Sequence, residues 1–273
     1  MKKEWTLPAL AWLAAVGGFA LRAQELAVAY DPVSRRMAYS TPASGLLWAL
    51  AAALVVVLFL LCRGMGKNDP EYWFYDPSTL SVMITTCSGF VLMAAGGLGL
   101  WMVQDMYRPE LLITLSYALC LIGGITLLVL AACIYRGRGT GRLPLQWMMV
   151  CVALLVWLVT AYQRHARQPV TALFMWQMLS GVCIVLAVYH LVTLSMGRGN
   201  ATRTCVLCLL SVPLTGIALA DGLPLPFALI SLSAMLLLTA QSRMLLRAAF
   251  GAPRPERMPQ RAEENEQTDT EEE

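Results

Sequence analysis

Residues 111–135 read LLITLSYALCLIGGITLLVLAACIY, a run of 25 residues without a charged side chain. An α-helix that crosses the hydrocarbon core of a bilayer needs about 20 consecutive, predominantly apolar residues. A run of this length and composition therefore predicts a transmembrane helix.

The whole chain follows the same pattern. Of its 273 residues, 58% are hydrophobic and 14% are charged, whereas soluble domains average about 45–50% and 25%. An ordinary soluble enzyme is therefore excluded. Seven further runs lack Asp, Glu, Lys and Arg, and they cover residues 5–21, 45–62, 80–103, 143–162, 172–196, 204–220 and 223–242. We expect an all-α polytopic membrane protein with about eight transmembrane helices in residues 1–250, arranged as four helical hairpins.

Charged residues occupy the connections between these runs. The two ends of the chain and the alternate connections on their side hold fourteen of the Lys and Arg residues, and the other connections hold six. Cytoplasmic segments retain Lys and Arg, so both termini are predicted to be cytoplasmic, in a plasma (inner) membrane. Residues 251–273 are rich in Pro and then acidic, which predicts a disordered cytoplasmic tail. In the alternative interpretation, residues 5–21 are a signal peptide cleaved near Ala20, which leaves seven helices.

The absence of charge from all eight runs also bears on function. A charged side chain inside a bilayer is costly and usually marks an ion or proton pathway. A pump that relies on a buried carboxylate, and acid–base catalysis within the membrane, are therefore disfavoured.

Small residues four positions apart predict close helix contacts. The pairs are Ala14/Gly18, Ala95/Gly99 and Cys120/Gly124, so we expect the first, third and fourth helices to pack inside the bundle. Similar segments also end the odd-numbered runs, with Glu25 and Asp221 at corresponding places, and they suggest a hairpin repeat.

Polar side chains within the runs are few. Gln177, His190 and Gln241 are candidate binding residues, either for a neutral solute or for hydrogen bonds between helices. His165 and His190 are too far apart along a continuous chain of helices to ligate one haem, and neither a cofactor nor a metal is expected.

Two further segments are chemically distinctive. Tyr72, Trp73, Phe74 and Tyr75 lie between two Asp-Pro pairs in a predicted cytoplasmic connection, and they are candidates for docking a partner. Cys205 and Cys208 have the spacing of a redox dithiol. Their tetrapeptide, Cys-Val-Leu-Cys, resembles the one in quinone-linked membrane disulfide oxidases, which would imply thiol oxidation, although the likeness covers four residues.

These patterns favour a non-catalytic membrane subunit, sensor or scaffold. A permease or channel-like transporter for a neutral solute is the alternative, and a membrane thiol oxidoreductase is the third hypothesis. The expected partners are the lipid bilayer and another membrane or cytoplasmic protein. Nothing in the sequence supports binding of nucleic acid.

Overall fold

The computed structural model describes residues 3–31, 36–37, 42–63, 79–104, 110–135, 143–166 and 174–250. Within these ranges the chain forms eight helices long and apolar enough to cross a membrane, which confirms the all-α polytopic prediction. The helices are α1 (Lys3–Ala29), α2 (Pro42–Cys62), α3 (Thr79–Gln104), α4 (Leu111–Tyr135), α5 (Leu143–Ala166), α6 (Met175–Ser195), α7 (Ala201–Leu219) and α8 (Leu225–Phe250). Two two-residue strands, β1 (Tyr30–Asp31) and β2 (Arg36–Met37), pair antiparallel after α1.

Four helices extend past their charge-free runs to include charged residues. α1 has 27 residues and includes Arg22 and Glu25, and α8 extends past Arg243 to Phe250. α5 includes Arg164 and α7 includes Arg203. The expectation that charge stays outside every helix is therefore wrong for α1, α5, α7 and α8. The physical reason in α1 and α8 is that the charged side chains find partners: Arg22 forms ion pairs and Arg243 stacks on an indole ring. In α5 and α7 the charged side chains are exposed near a helix end.

Successive helices run in opposite directions, so the bundle has two ends. We call the end at which α1 begins and α8 finishes the terminal end, and the other the opposite end. Helices adjacent in the chain pack together, except that α2 and α3 make few contacts, and α1 with α7 and α3 with α8 add contacts between distant segments. Whether this arrangement reflects four repeated hairpins stays a prediction.

α7 and α8 form the interior of the bundle. Most residues of these two helices are buried, whereas most of α2 is exposed, and α2 packs mainly against α1 and α7. The prediction that the first, third and fourth helices occupy the interior is therefore wrong. Small residues do create close contacts on those helices, but they specify pairwise interfaces and say nothing about which helix is central.

The interface between α3 and α4 depends on glycine. A Cβ atom on Gly96 would lie 2.6 Å from the backbone nitrogen of Leu121, and one on Gly124 would lie 2.6 Å from that of Met93. The two backbones therefore touch at both places. α1 meets α7 similarly, because a Cβ on Gly216 would lie 2.7 Å from the Cβ of Ala15.

Hydrogen bonds in the centre join α8 to two other helices. The hydroxyl of Ser88 in α3 donates to the carbonyl oxygen of Ser233 in α8 at 2.9 Å. The hydroxyl of Ser233 donates to the carbonyl oxygen of Ser88 at 2.8 Å. The Trp12 indole in α1 donates to the Thr239 hydroxyl at 3.0 Å. In lipid, such bonds fix the rotation and depth of one helix against another.

Candidate functional site

A buried group of charged and polar side chains lies at the opposite end of the bundle. The Arg22 guanidinium donates from Nε to Oδ1 of Asp221 at 2.7 Å and from Nη1 to Oε2 of Glu25 at 2.7 Å. The hydroxyl of Ser44 donates to Oε1 of Glu25. We call these four residues the Arg22 cluster.

Four helices contribute to the Arg22 cluster or flank it. Arg22 and Glu25 are three residues apart and therefore share a face of α1. Ser44 lies in the first turn of α2, and Asp221 follows the end of α7. The next residue, Gly222, has a φ of +68°, a conformation that glycine adopts without strain and that reverses the chain into α8. The cluster thus joins the end of α1 to the start of α2 and to the α7–α8 turn.

Water is almost excluded from the cluster. The side chains of Arg22, Asp221 and Glu25 are 2%, 4% and 6% exposed. One guanidinium faces two carboxyl groups, so the three carry a formal charge of −1 when ionised. Oδ2 of Asp221 is buried and has no hydrogen-bond partner among the described residues. A buried carboxylate that is incompletely paired favours uptake of a proton.

The pKa of Asp221 reflects this environment. Burial raises it from 3.8 to about 6, the charge and hydrogen bond of Arg22 oppose the rise, and the charge of Glu25 adds to it. Asp221 therefore changes its charge close to neutral pH, whereas an exposed aspartate titrates near 4.

This shift predicts a pH-dependent stability. Because the folded-state pKa is above the unfolded value, the stabilisation from protonating Asp221 is complete below about pH 4 and is lost as the pH rises through about 6. Thermal unfolding of the full chain in lipid nanodiscs should show a higher Tm at about pH 5 than at pH 7.5, and Asp221→Asn should reduce that difference. An identical pH profile in Asp221→Asn would refute the assignment.

The polar residues singled out in the sequence do not form one site. Gln177 and His190 both lie on α6 but are 13 positions apart, which places them about 20 Å apart along the helix and on different faces. Gln241 lies in the second half of α8, towards the terminal end. The amides of both glutamines are buried, with Oε1 and Nε2 of Gln177 and Nε2 of Gln241 lacking partners among the described residues.

The two cysteines of the predicted dithiol are fully buried at the start of α7. The thiol of Cys205 is within hydrogen-bonding reach of Cys62 at the end of α2. Thiol–disulfide exchange requires an accessible thiolate, so the burial of Cys205 and Cys208 disfavours a redox function. Packing between α2 and α7 is the role their positions support.

Other predicted features lie outside the described residues. These are the aromatic segment Tyr72, Trp73, Phe74 and Tyr75, and the tail formed by residues 251–273. Docking of a partner at the aromatic segment stays a prediction.

The Arg22 cluster was missed as a site by reasoning from the sequence. Arg22 directly follows the charge-free run 5–21, which places it in a connection, and the suggested hairpin repeat accounts for Glu25 and Asp221. The available signal was the spacing of Arg22 and Glu25, since opposite charges three residues apart stabilise a continuing helix. Asp221 could not be linked to them, because it is 199 positions from Arg22.

Among the described residues, no group of three or more His, Cys, Asp or Glu side chains is placed to hold a metal ion. No protein family, curated protein or solved structure matches the chain. The Arg22 cluster is thus the feature of the described residues from which a function is best inferred.

Proposed function

We propose that the chain is a non-catalytic membrane subunit that acts as a scaffold or sensor. The observation that carries this proposal is the Arg22 cluster, which joins the first helix to the turn between the two most buried helices. Buried ion pairs contribute little net stability, and their best-attested use is to fix an arrangement or to act as a switch. A cluster of this kind is suited to a helical bundle that functions by keeping one conformation or by switching between two.

The distribution of Lys and Arg supports an orientation for this subunit. With both termini in the cytoplasm of a plasma membrane, the Arg22 cluster lies on the external side. Asp221, whose pKa is about 6, would then respond to external acidification. A change at this residue would act directly on the joint between α1 and the α7–α8 turn, which gives the sensor hypothesis a physical basis.

A protein partner is part of the proposal. The eight helices indicate a lipid environment, and Tyr72, Trp73, Phe74 and Tyr75 are the proposed docking residues on the cytoplasmic side. Clustered aromatic side chains are common anchors in protein interfaces, which supports this choice over the sparse polar side chains of the helices.

Affinity purification of the full chain from native membranes tests the proposal. We expect a partner in stoichiometric amount, which is lost when Tyr72, Trp73, Phe74 and Tyr75 are replaced by serine. Tyr135→Ser is the matched control, because Tyr135 is an exposed aromatic residue at the terminal end, and it should retain the partner. A partner that the four replacements leave bound would contradict the proposed docking segment.

A permease for a neutral solute is the second candidate. It is supported by Gln177, whose amide oxygen and nitrogen are both buried without partners among the described residues, as expected of a group that meets a ligand. Purified protein in liposomes would then exchange a solute from a panel of neutral metabolites, and Gln177→Leu would abolish the exchange. Such a result would replace the scaffold proposal.

A further inference from the structure

A second buried charge lies at the terminal end of the bundle. Arg243 of α8 is 6% exposed, and its guanidinium carbon lies 3.7 Å from the centre of the Trp5 ring. Trp5 belongs to the first turn of α1 and is 48% exposed. The indole therefore covers one face of the guanidinium, and its own outer side remains open.

Two of the three guanidinium nitrogens of Arg243, Nε and Nη1, are buried and lack a hydrogen-bond partner among the described residues. Glu4 is near enough to exert a favourable charge effect on Arg243, but the two form no ion pair within the described part of the chain. A cation–π contact offsets part of the cost of burying an arginine, and the unpaired N–H groups leave the remainder uncompensated.

The local charge and the depth both favour an anion. Arg247 lies one turn after Arg243 and adds a second positive charge, so among the described residues here two arginines outnumber Glu4. Arg243 is eighteen residues beyond Leu225, about 27 Å along α8. The hydrocarbon core of a bilayer is about 30 Å thick, so Arg243 lies near one edge of the core when Leu225 lies at the other edge. Its long side chain can then reach the headgroup layer.

We propose that Arg243, beside Trp5 and within the positive field of Arg247, forms a binding site for the phosphate group of an anionic phospholipid. The planar fork of arginine matches two phosphate oxygens, and basic pockets between transmembrane helices are a recognised type of lipid headgroup site. Trp5 covers one face of the guanidinium. The Nε–H and Nη1–H groups, which lack a partner among the described residues, lie in the guanidinium plane and are the proposed donors to the phosphate. This inference does not depend on the proposed function.

Lipid binding to the full chain tests the site. The wild-type chain is placed in nanodiscs of phosphatidylcholine, with or without phosphatidylglycerol, and Tm is measured alongside native mass spectrometry of retained lipid. We expect phosphatidylglycerol to raise Tm and to remain bound. Arg243→Gln should weaken this binding roughly tenfold or more, because charged hydrogen bonds are lost. Arg203→Gln is the matched control, since Arg203 is an exposed arginine near the terminal end, and it should bind as the wild type does.

Two further arms keep the result interpretable. Arg243→Lys retains the positive charge without the forked N–H groups of the guanidinium and should give an intermediate affinity for phosphatidylglycerol. It replaces Arg243→Gln in the comparison if that variant does not fold in phosphatidylcholine alone. Inorganic phosphate added to phosphatidylcholine nanodiscs distinguishes the source: stabilisation equal to that by phosphatidylglycerol would assign the site to a soluble phosphate and overturn the lipid. Equal loss of lipid in Arg203→Gln and Arg243→Gln would overturn the site itself.

Discussion

Replacing Arg22 by methionine is expected to destabilise the folded bundle by about 3–5 kcal/mol at pH 7.5, because removing one partner of a buried ion pair leaves uncompensated charge. The substitution removes both ion pairs of the Arg22 cluster. Glu25 and Asp221 would then face each other without the guanidinium between them. Since the raised pKa of Asp221 lets that carboxyl group take up a proton near pH 6, the loss should be smaller at pH 5.

Reversible unfolding of the full chain in lipid or mild detergent measures this loss. Arg164→Met is the matched control, since Arg164 is an exposed arginine near the opposite end. Its guanidinium carbon lies 5.6 Å from the centre of the Phe227 ring. We expect that variant to lose no more than about 1 kcal/mol. If Arg22→Met were as stable as Arg164→Met, the Arg22 cluster would not join the helices as described.

Gly96→Ala should destabilise the bundle by about 1–3 kcal/mol, the range typical of overpacking. The added methyl group would lie 2.6 Å from the backbone nitrogen of Leu121 and 2.8 Å from the carbonyl oxygen of Tyr117. Backbone atoms cannot turn aside as a side chain can, so α3 and α4 would have to separate.

The neighbouring glycine provides the control for Gly96→Ala. A Cβ on Gly97 meets nothing within 4 Å, so Gly97→Ala should be neutral or slightly stabilising, because alanine has the higher helix propensity. The same unfolding measurement compares the two variants. Equal effects at positions 96 and 97 would show that backbone contact between α3 and α4 does not limit the packing.

The number and positions of the helices could be predicted from the sequence because lipid imposes a simple rule. A span must be apolar over a fixed length and must satisfy its own backbone hydrogen bonds, and both conditions are local. The limits of α1 could not be predicted in this way. Arg22 and Glu25 extend α1 beyond the apolar run, and the partner that makes Arg22 tolerable, Asp221, comes from the other end of the chain.

Contacts between helices could not be predicted from the sequence for the same reason, because the partners are far apart in the chain. The spacing of Ala14 and Gly18 predicts a close contact on α1, and the structure has one with α7. No feature of the sequence around these two residues identifies α7 as the helix in contact. Gln177 and His190 were grouped by polarity, although 13 positions on one helix place them on different faces. Single side chains on a membrane helix become a site only when the packing of other helices brings them together.

A double-mutant cycle between Arg22 and Asp221 tests the central claim most directly, because it isolates the energy of their contact. The unfolding free energies of Arg22→Met, Asp221→Asn and the double variant are compared with that of the wild type in the same lipid. We predict a coupling of at least about 1.5 kcal/mol, as measured for close charge pairs, with the double variant more stable than Arg22→Met. Effects that add to within about 0.5 kcal/mol would contradict a buried ion pair that joins α1 to the α7–α8 turn.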